Sequence, residues 1–166
     1  MMKKWKSRVD ELKYMFFNAK SFFKLADLGR KYACDQKLPN IEKAGYVFSH
    51  IVNYAFACEL YIKLFLKWFD ECNKLSNSHK LSSLLSSCPD KLQNEIYDKV
   101  QYMYKRRNTA LCKCEFWKKM KSINNVYKKC RYFYDNDLTQ GVDCEFLTFF
   151  SYVLDNMASS LIEHLK

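Results

Sequence analysis

An all-α domain, built as one antiparallel bundle of five to six helices, is the fold class this sequence predicts, on three observations. Only 3 of its 166 residues are glycine and 2 are proline, too few for the tight turns of a sandwich or barrel. Apolar residues make up 49% and aromatics 17%, which excludes disorder and supplies a substantial core. Along most of the chain the apolar positions recur every three or four residues, the period of a helix with one buried face. At this length one domain spanning residues 1–166 is expected, burying roughly 70% of its unfolded surface. The glycines stand apart at 29, 45 and 141, which rules out a dinucleotide fingerprint or a phosphate-cradling loop.

The elements follow in order. Val9, Leu12, Met15, Phe16, Ala19, Phe22, Phe23, Ala26 and Leu28 predict a first helix from about Trp5 to Tyr32. Leu38-Pro39-Asn40 is a turn, with Asn40 as N-cap of a second helix from about Ile41 to Cys72. That helix is apolar on more than one face, which marks it as central. Ser78 is expected to cap a short helix, His79 to Ser86. Pro89 suits the first turn of another, with Ser87 or Cys88 before it, running to about Asn108. A break near Thr109 to Lys113 precedes a helix from about Glu115 to Tyr134. Residues 135–143 are the most loop-like, and the last helix covers about Cys144 to Leu165.

The N-terminus has neither the apolar core nor the cleavage site of a signal peptide. The most apolar stretch, Ile51 to Phe69, carries Asn53, Glu59, Lys63 and Lys67, costly at a bilayer centre, so no membrane span is expected. A cytoplasmic location and eight reduced thiols follow as expectations. Cys112 and Cys114, with Cys130 and Cys144, lack the knuckle spacing of a structural zinc site, so no metal or other cofactor is expected. Phe146, Phe149, Phe150, Tyr152 and Val153 form a cluster suited to the core or to a dimer surface.

Charge is unevenly placed. The net +10 is made of +6 over residues 1–31, zero over 32–103, +9 over 104–131 and −5 over the remainder. The +9 stretch holds Lys105, Arg106, Arg107, Lys118, Lys119, Lys121, Lys128 and Lys129, interleaved with Phe116, Trp117 and Tyr127. Cations that release counterions beside rings that stack on bases suit RNA or a nucleotide. A solvated lysine-rich helix pair with its aromatics turned to the core fits the same pattern. Within the central helix, Glu59 and Lys63 stand i,i+4 in Phe56-Ala57-Cys58-Glu59-Leu60-Tyr61-Ile62-Lys63. A buried charge must find partners, so an internal polar network of Glu59, Lys63, His79, Arg131 and Tyr134 is expected. It serves either to fix the packing or to build a site.

These residues carry a resemblance. The segment Phe56–Lys63, then His79-Lys80-Leu81, then Phe116, Asn125, Tyr127 and Arg131-Tyr132-Phe133-Tyr134-Asp135 resemble the HEPN (higher eukaryote and prokaryote nucleotide-binding) superfamily over most of the chain. The resemblance implies an antiparallel helical bundle, a homodimer, and a place in toxin–antitoxin modules with an antitoxin protein as partner, in phage defence or in RNA processing. Many members are metal-independent endoribonucleases with an Arg-x(4–6)-His motif.

The sequence departs from the family at that motif. Five to seven residues before His50, His79 and His164 no arginine stands. The nearest counterpart runs from Arg107 to Cys112, with cysteine in the histidine's place. Cleavage through a 2′-hydroxyl needs a base near neutral pKa, which imidazole supplies and a thiol near 8.5 does not without help. Two functional classes stand. One is an RNA- or nucleotide-binding module without catalysis. The other is an endoribonuclease using Arg107 with Cys112, or His79 with Arg131. A dimerisation domain with no nucleic-acid ligand is a third reading.

Overall fold

The computed structural model describes residues 7–69, 78–124, 126 and 142–165. Among them are six helices: α1 (Arg8–Ala33), α2 (Asn40–Phe69), α3 (Leu81–Ser86), α4 (Asp90–Lys105), α5 (Lys113–Ser122) and α6 (Cys144–Glu163). The all-α fold class is therefore observed, and no strand occurs among the described residues.

Local chemistry explains most boundaries. Ser7 caps α1, its side chain accepting from the Asp10 N–H at 3.2 Å, with Asp10 and Glu11 in the first turn and Arg30 and Lys31 in the last. Asn40 is already helical, so it is the first residue of α2 and not its cap. Ser78 accepts from the Lys80 N–H at 3.2 Å, which delays the short helix until Leu81, with Lys80 in the cap position. Pro89 stands at the N-cap of α4, one place earlier than expected. After Lys105 the chain turns through Asn108, whose φ of 55° is the positive backbone angle asparagine tolerates better than most residues. The expected break falls there. The part of the fifth predicted helix beyond residue 126, and the 135–141 portion of the predicted loop, lie outside the described residues; Asp143 caps α6 through the Phe146 N–H.

α1 and α2 pair antiparallel along their whole length. Arg8 donates to the Trp68 and Lys67 carbonyls at 2.7 and 3.3 Å, and at the other end Tyr32 stacks on Tyr46. Near that end the helices approach closely at Gly29, where a Cβ would stand 3.3 Å from His50 Cβ, His50 N and Tyr46 O. α6 lies across both helices and also packs on α4, while α3 joins α2 to α4 and α5. Phe146, Phe149, Phe150 and Val153 are all buried within the single chain, and Phe116 packs edge-on to Phe146 and Phe150. Those four are core and not a dimer surface; Tyr152, the fifth expected member, is half-buried with its hydroxyl on Asp27.

Two acids, one buried and one half-buried, tie three helices together. Asp155 of α6 is 5% exposed; both its oxygens accept from Lys20 Nζ of α1 at 2.7 Å, and Oδ1 accepts from the Tyr61 hydroxyl of α2 at 2.5 Å. Two helical turns away, Asp27 of α1 accepts from Tyr152 of α6, from Tyr54 of α2 at 3.4 Å and from Arg30 at 3.0 Å. Burial alone would raise the Asp27 pKa; the Tyr152 hydroxyl and the Arg30 guanidinium outweigh it and hold the carboxyl below its ordinary range.

His50 is 8% exposed, and burial pushes its pKa below the ordinary imidazole value, with Arg30 acting in the same direction. A neutral buried imidazole binds fewer protons than the unfolded one, so its contribution is complete above about pH 6.5 and is lost as the pH falls below that. The melting temperature is expected to fall between pH 7.5 and 5.5, and His50→Gln to flatten that dependence. An unchanged slope in the variant would remove His50 from the account.

Candidate functional site

Two places gather the residues that the sequence singled out. The first is the middle of α2. Glu59 is 5% exposed, and its Oε1 accepts from Lys63 Nζ at 2.7 Å and lies 3.0 Å from His79 Nδ1. The i,i+4 spacing aligns Glu59 and Lys63 on one face of α2. The segment just before α3 delivers His79 to the same carboxylate. The Lys63 side chain is 15% exposed, that of His79 73%. An ionised carboxylate only accepts, so Nδ1 is the donor and Nε2 of a mostly exposed ring is left for other partners. Such a carboxylate–imidazole arrangement can orient a general base or acid. Arg131 and Tyr134, the other expected members, lie outside the described residues.

The second place is the end of the bundle where α4 gives way to α5. Lys105 and Arg106 end α4, and Lys118, Lys119 and Lys121 lie on α5. Lys119 lies over the Tyr104 ring, 5.7 Å from its centroid, and pairs with Asp143; Arg107 lies over Phe149 at 5.3 Å and pairs with Glu145 at 3.3 Å. Lys105, Arg106, Lys118 and Lys121 are exposed and make no ion pair among the described residues. Lys128 and Lys129 lie outside them. Of the interleaved aromatics, Phe116 is 1% exposed and belongs to the core, and Trp117 is half-buried against it. Neither is a free stacking platform.

Tyr102 is one, and sequence reading missed it. The residue is 62% exposed and lines a groove of about 730 Å³ between α4, α6 and the end of α2, together with Lys99, Met103, Arg106, Met157 and His164. The signal was present: Tyr102 stands i,i+4 from Arg106 and three residues from Lys105, a ring between cations.

Arg107 and Cys112 turn to different partners. Cys112 is the N-cap of α5: its sulfur accepts from the Glu115 N–H at 3.4 Å while Glu115 Oε2 accepts from the Cys112 N–H at 3.1 Å. Hydrogen bonding from the Cys112 backbone N–H, and from the Cys112 side chain beside it, holds the Glu115 carboxyl below its ordinary pKa. A capping box is thus a sufficient account of Cys112. The buried thiols of Cys58 and Cys88 are pushed upward by burial, the latter to about 12, which makes them inert core groups. No cluster of three or more His, Cys, Asp or Glu residues is placed to hold a metal among the described residues. Among them, no helix is long and apolar enough to cross a membrane.

Scanned against protein-family models the sequence matches none, and searches of curated proteins and of solved structures return no match. The resemblance to the HEPN superfamily therefore rests on the residues quoted for it.

The Glu59 cluster separates a structural role from a functional one. Glu59→Ala strands the Lys63 charge in a largely buried position and is expected to cost about 3 kcal/mol. His79→Ala, at an exposed ring, is expected to cost roughly 0.5 kcal/mol or less. Urea denaturation of both variants checks this; equal losses would make His79 a packing residue.

Proposed function

We propose that this chain is a HEPN-like helical module that binds RNA or a nucleotide through the α4–α5 end of the bundle. One observation carries the reading: Lys105, Arg106, Lys118 and Lys121 are exposed without an ion pair among the described residues, and Tyr102, one turn before Arg106 on α4, offers an exposed ring. Uncompensated cations beside an exposed ring provide the two terms that single-stranded nucleic acid requires, counterion release and stacking. Lys119 and Arg107, already paired with Asp143 and Glu145, contribute less. The resemblance supports a setting in toxin–antitoxin or phage-defence systems and a homodimeric state.

A second reading has its own observation. The His79 ring is held by a buried carboxylate yet is mostly exposed, the arrangement a metal-independent endoribonuclease would use for proton transfer. Arg107 and Cys112, with their separate partners, support that activity less than His79 does.

One assay addresses both. With a labelled single-stranded RNA in EDTA, charge reversal at Lys118 and Lys121 is expected to weaken binding at least tenfold. The slope of log affinity against log salt should become shallower by about 0.7 per lost contact. Tyr102→Ala is expected to weaken binding by about tenfold, equivalent to the loss of one stacked base. Affinity and slope that stay fixed in all three variants would refute the binding reading. RNA cleaved by the wild type and left intact by His79→Ala would establish the second.

A further inference from the structure

α1 carries two apolar faces, one buried in the core and one that the described residues leave largely exposed. Leu12, Phe16, Ala19, Phe23 and Ala26 point into the core. At roughly 100° per residue, Tyr14, Phe17, Ser21, Leu25, Leu28 and Tyr32 fall within an arc of about 80° on the opposite side. Phe17 is 60% exposed, Leu25 52%, Leu28 50% and Tyr32 42%, so this outer stripe offers one large apolar side chain at almost every turn. Isolated exposed apolar residues need no explanation, but a contiguous row along one helix does.

The edges of the stripe differ. On the edge toward α6 stand Lys13, Lys20, Lys24 and Lys31. The acids there are Asp155, which takes Lys20, and Asp27, which takes Arg30 and Lys31. Lys13 and Lys24 make no ion pair among the described residues. On the edge toward α2 stand Asn18, Phe22, stacked on Phe56, and Gly29, tight against Tyr46 and His50. The acid there, Glu11, pairs with Lys67 at 3.6 Å.

This charge pattern decides the occupant. An antiparallel two-fold pairing of α1 with a second copy sets each edge against itself, lysine against lysine. A parallel pairing sets the lysines against the α2 edge, whose carboxylate is already engaged. Neither gives the opposite charges that flank a stable helix seam. A helix lying in a membrane interface presents one broad apolar face opposite a strongly charged one; this stripe, about 80° wide and backed by the core face of the same helix, has the narrower width of a helix–helix seam.

We propose that the outer face of α1 is a docking seam for an acidic amphipathic helix of another protein. Its apolar residues, spaced three and four apart, pack between Phe17, Leu25, Leu28 and Tyr32, with Ser21 leaving room for close approach. Its carboxylates lie along the lysine edge, over Lys13 and Lys24. The seam is separate from the α4–α5 end and does not depend on RNA binding there.

The test uses the full chain and two fluorescent helical peptides of about three heptads. Both carry leucine at the core positions; the flanking positions are glutamate in one and lysine in the other. The acidic peptide is expected to bind at least tenfold more tightly than the basic one, and more weakly as salt rises. Leu25→Glu should reduce its affinity at least tenfold and Lys24→Glu severalfold, while urea denaturation midpoints stay unchanged because both positions are exposed. Equal binding of the two peptides, or binding of neither, overturns the proposal. So does a dimeric mass by light scattering that Leu25→Glu converts to monomer, which would assign the seam to a second copy. Sedimentation with phosphatidylserine vesicles in the absence of acidic-peptide binding would assign it to lipid. A large loss of stability in Leu25→Glu would show that the chain itself covers the stripe.

Discussion

Asp155 is the constraint on which the arrangement of the long helices depends. It is a buried carboxylate on α6 that accepts from a lysine of α1 and a phenol of α2, so three helices meet at one acid. A buried carboxylate left alone costs several kcal/mol, and one that keeps its partners fixes which residues face each other. Apolar packing around it would tolerate a helix sliding by a turn, since Leu, Phe and Ala recur on every turn of the inner face of α1. The Asp155 contacts would not. Asp27 repeats the device two turns along α1, with tyrosines from α2 and α6, and together the two acids set register as well as distance.

The same acids divide the basic residues into two populations. Lys20, Arg30 and Lys63 are tied to Asp155, Asp27 and Glu59, and their charge is spent inside the molecule. Lys105, Arg106, Lys118 and Lys121 have no such partner among the described residues. Net charge by itself would say only that the chain is basic. The partition says where a polyanion meets uncompensated charge, which is why the α4–α5 end carries the functional reading. Lys13 and Lys24 form a smaller group in another place, beside an apolar stripe, and so point to a different kind of partner.

Much of the fold was legible because helix periodicity and breakers are local signals. The Glu59–Lys63–His79 contact was legible too, since charged residues inside an otherwise apolar helix must be satisfied. Asp155, within Phe149 to Met157, gave the same signal, but its partner lies 135 residues away and nothing local names it. The helix starts that moved by one or two residues did so for local reasons that propensity does not resolve, such as Ser78 accepting from Lys80. Cys112 was read as a degenerate histidine position, whereas Cys-x-x-Glu at a helix start has the spacing of a capping box. The aromatics among the lysines were misleading for a related reason. Phe116 follows the core period of α5, and Tyr102, on the outer face of α4, has the free ring.

Lysine footprinting by mass spectrometry, with and without single-stranded RNA, tests the division of cations most directly. Lys20 and Lys63 should acetylate slowly in both conditions, because each is held by a buried carboxylate. Lys105, Lys118 and Lys121 should react quickly in the free protein and become protected by RNA, while Lys24 stays reactive throughout. Protection at Lys13, Lys24 and Lys31 with Lys105, Lys118 and Lys121 untouched would contradict the account, since it would place the polyanion along α1 and away from the α4–α5 end.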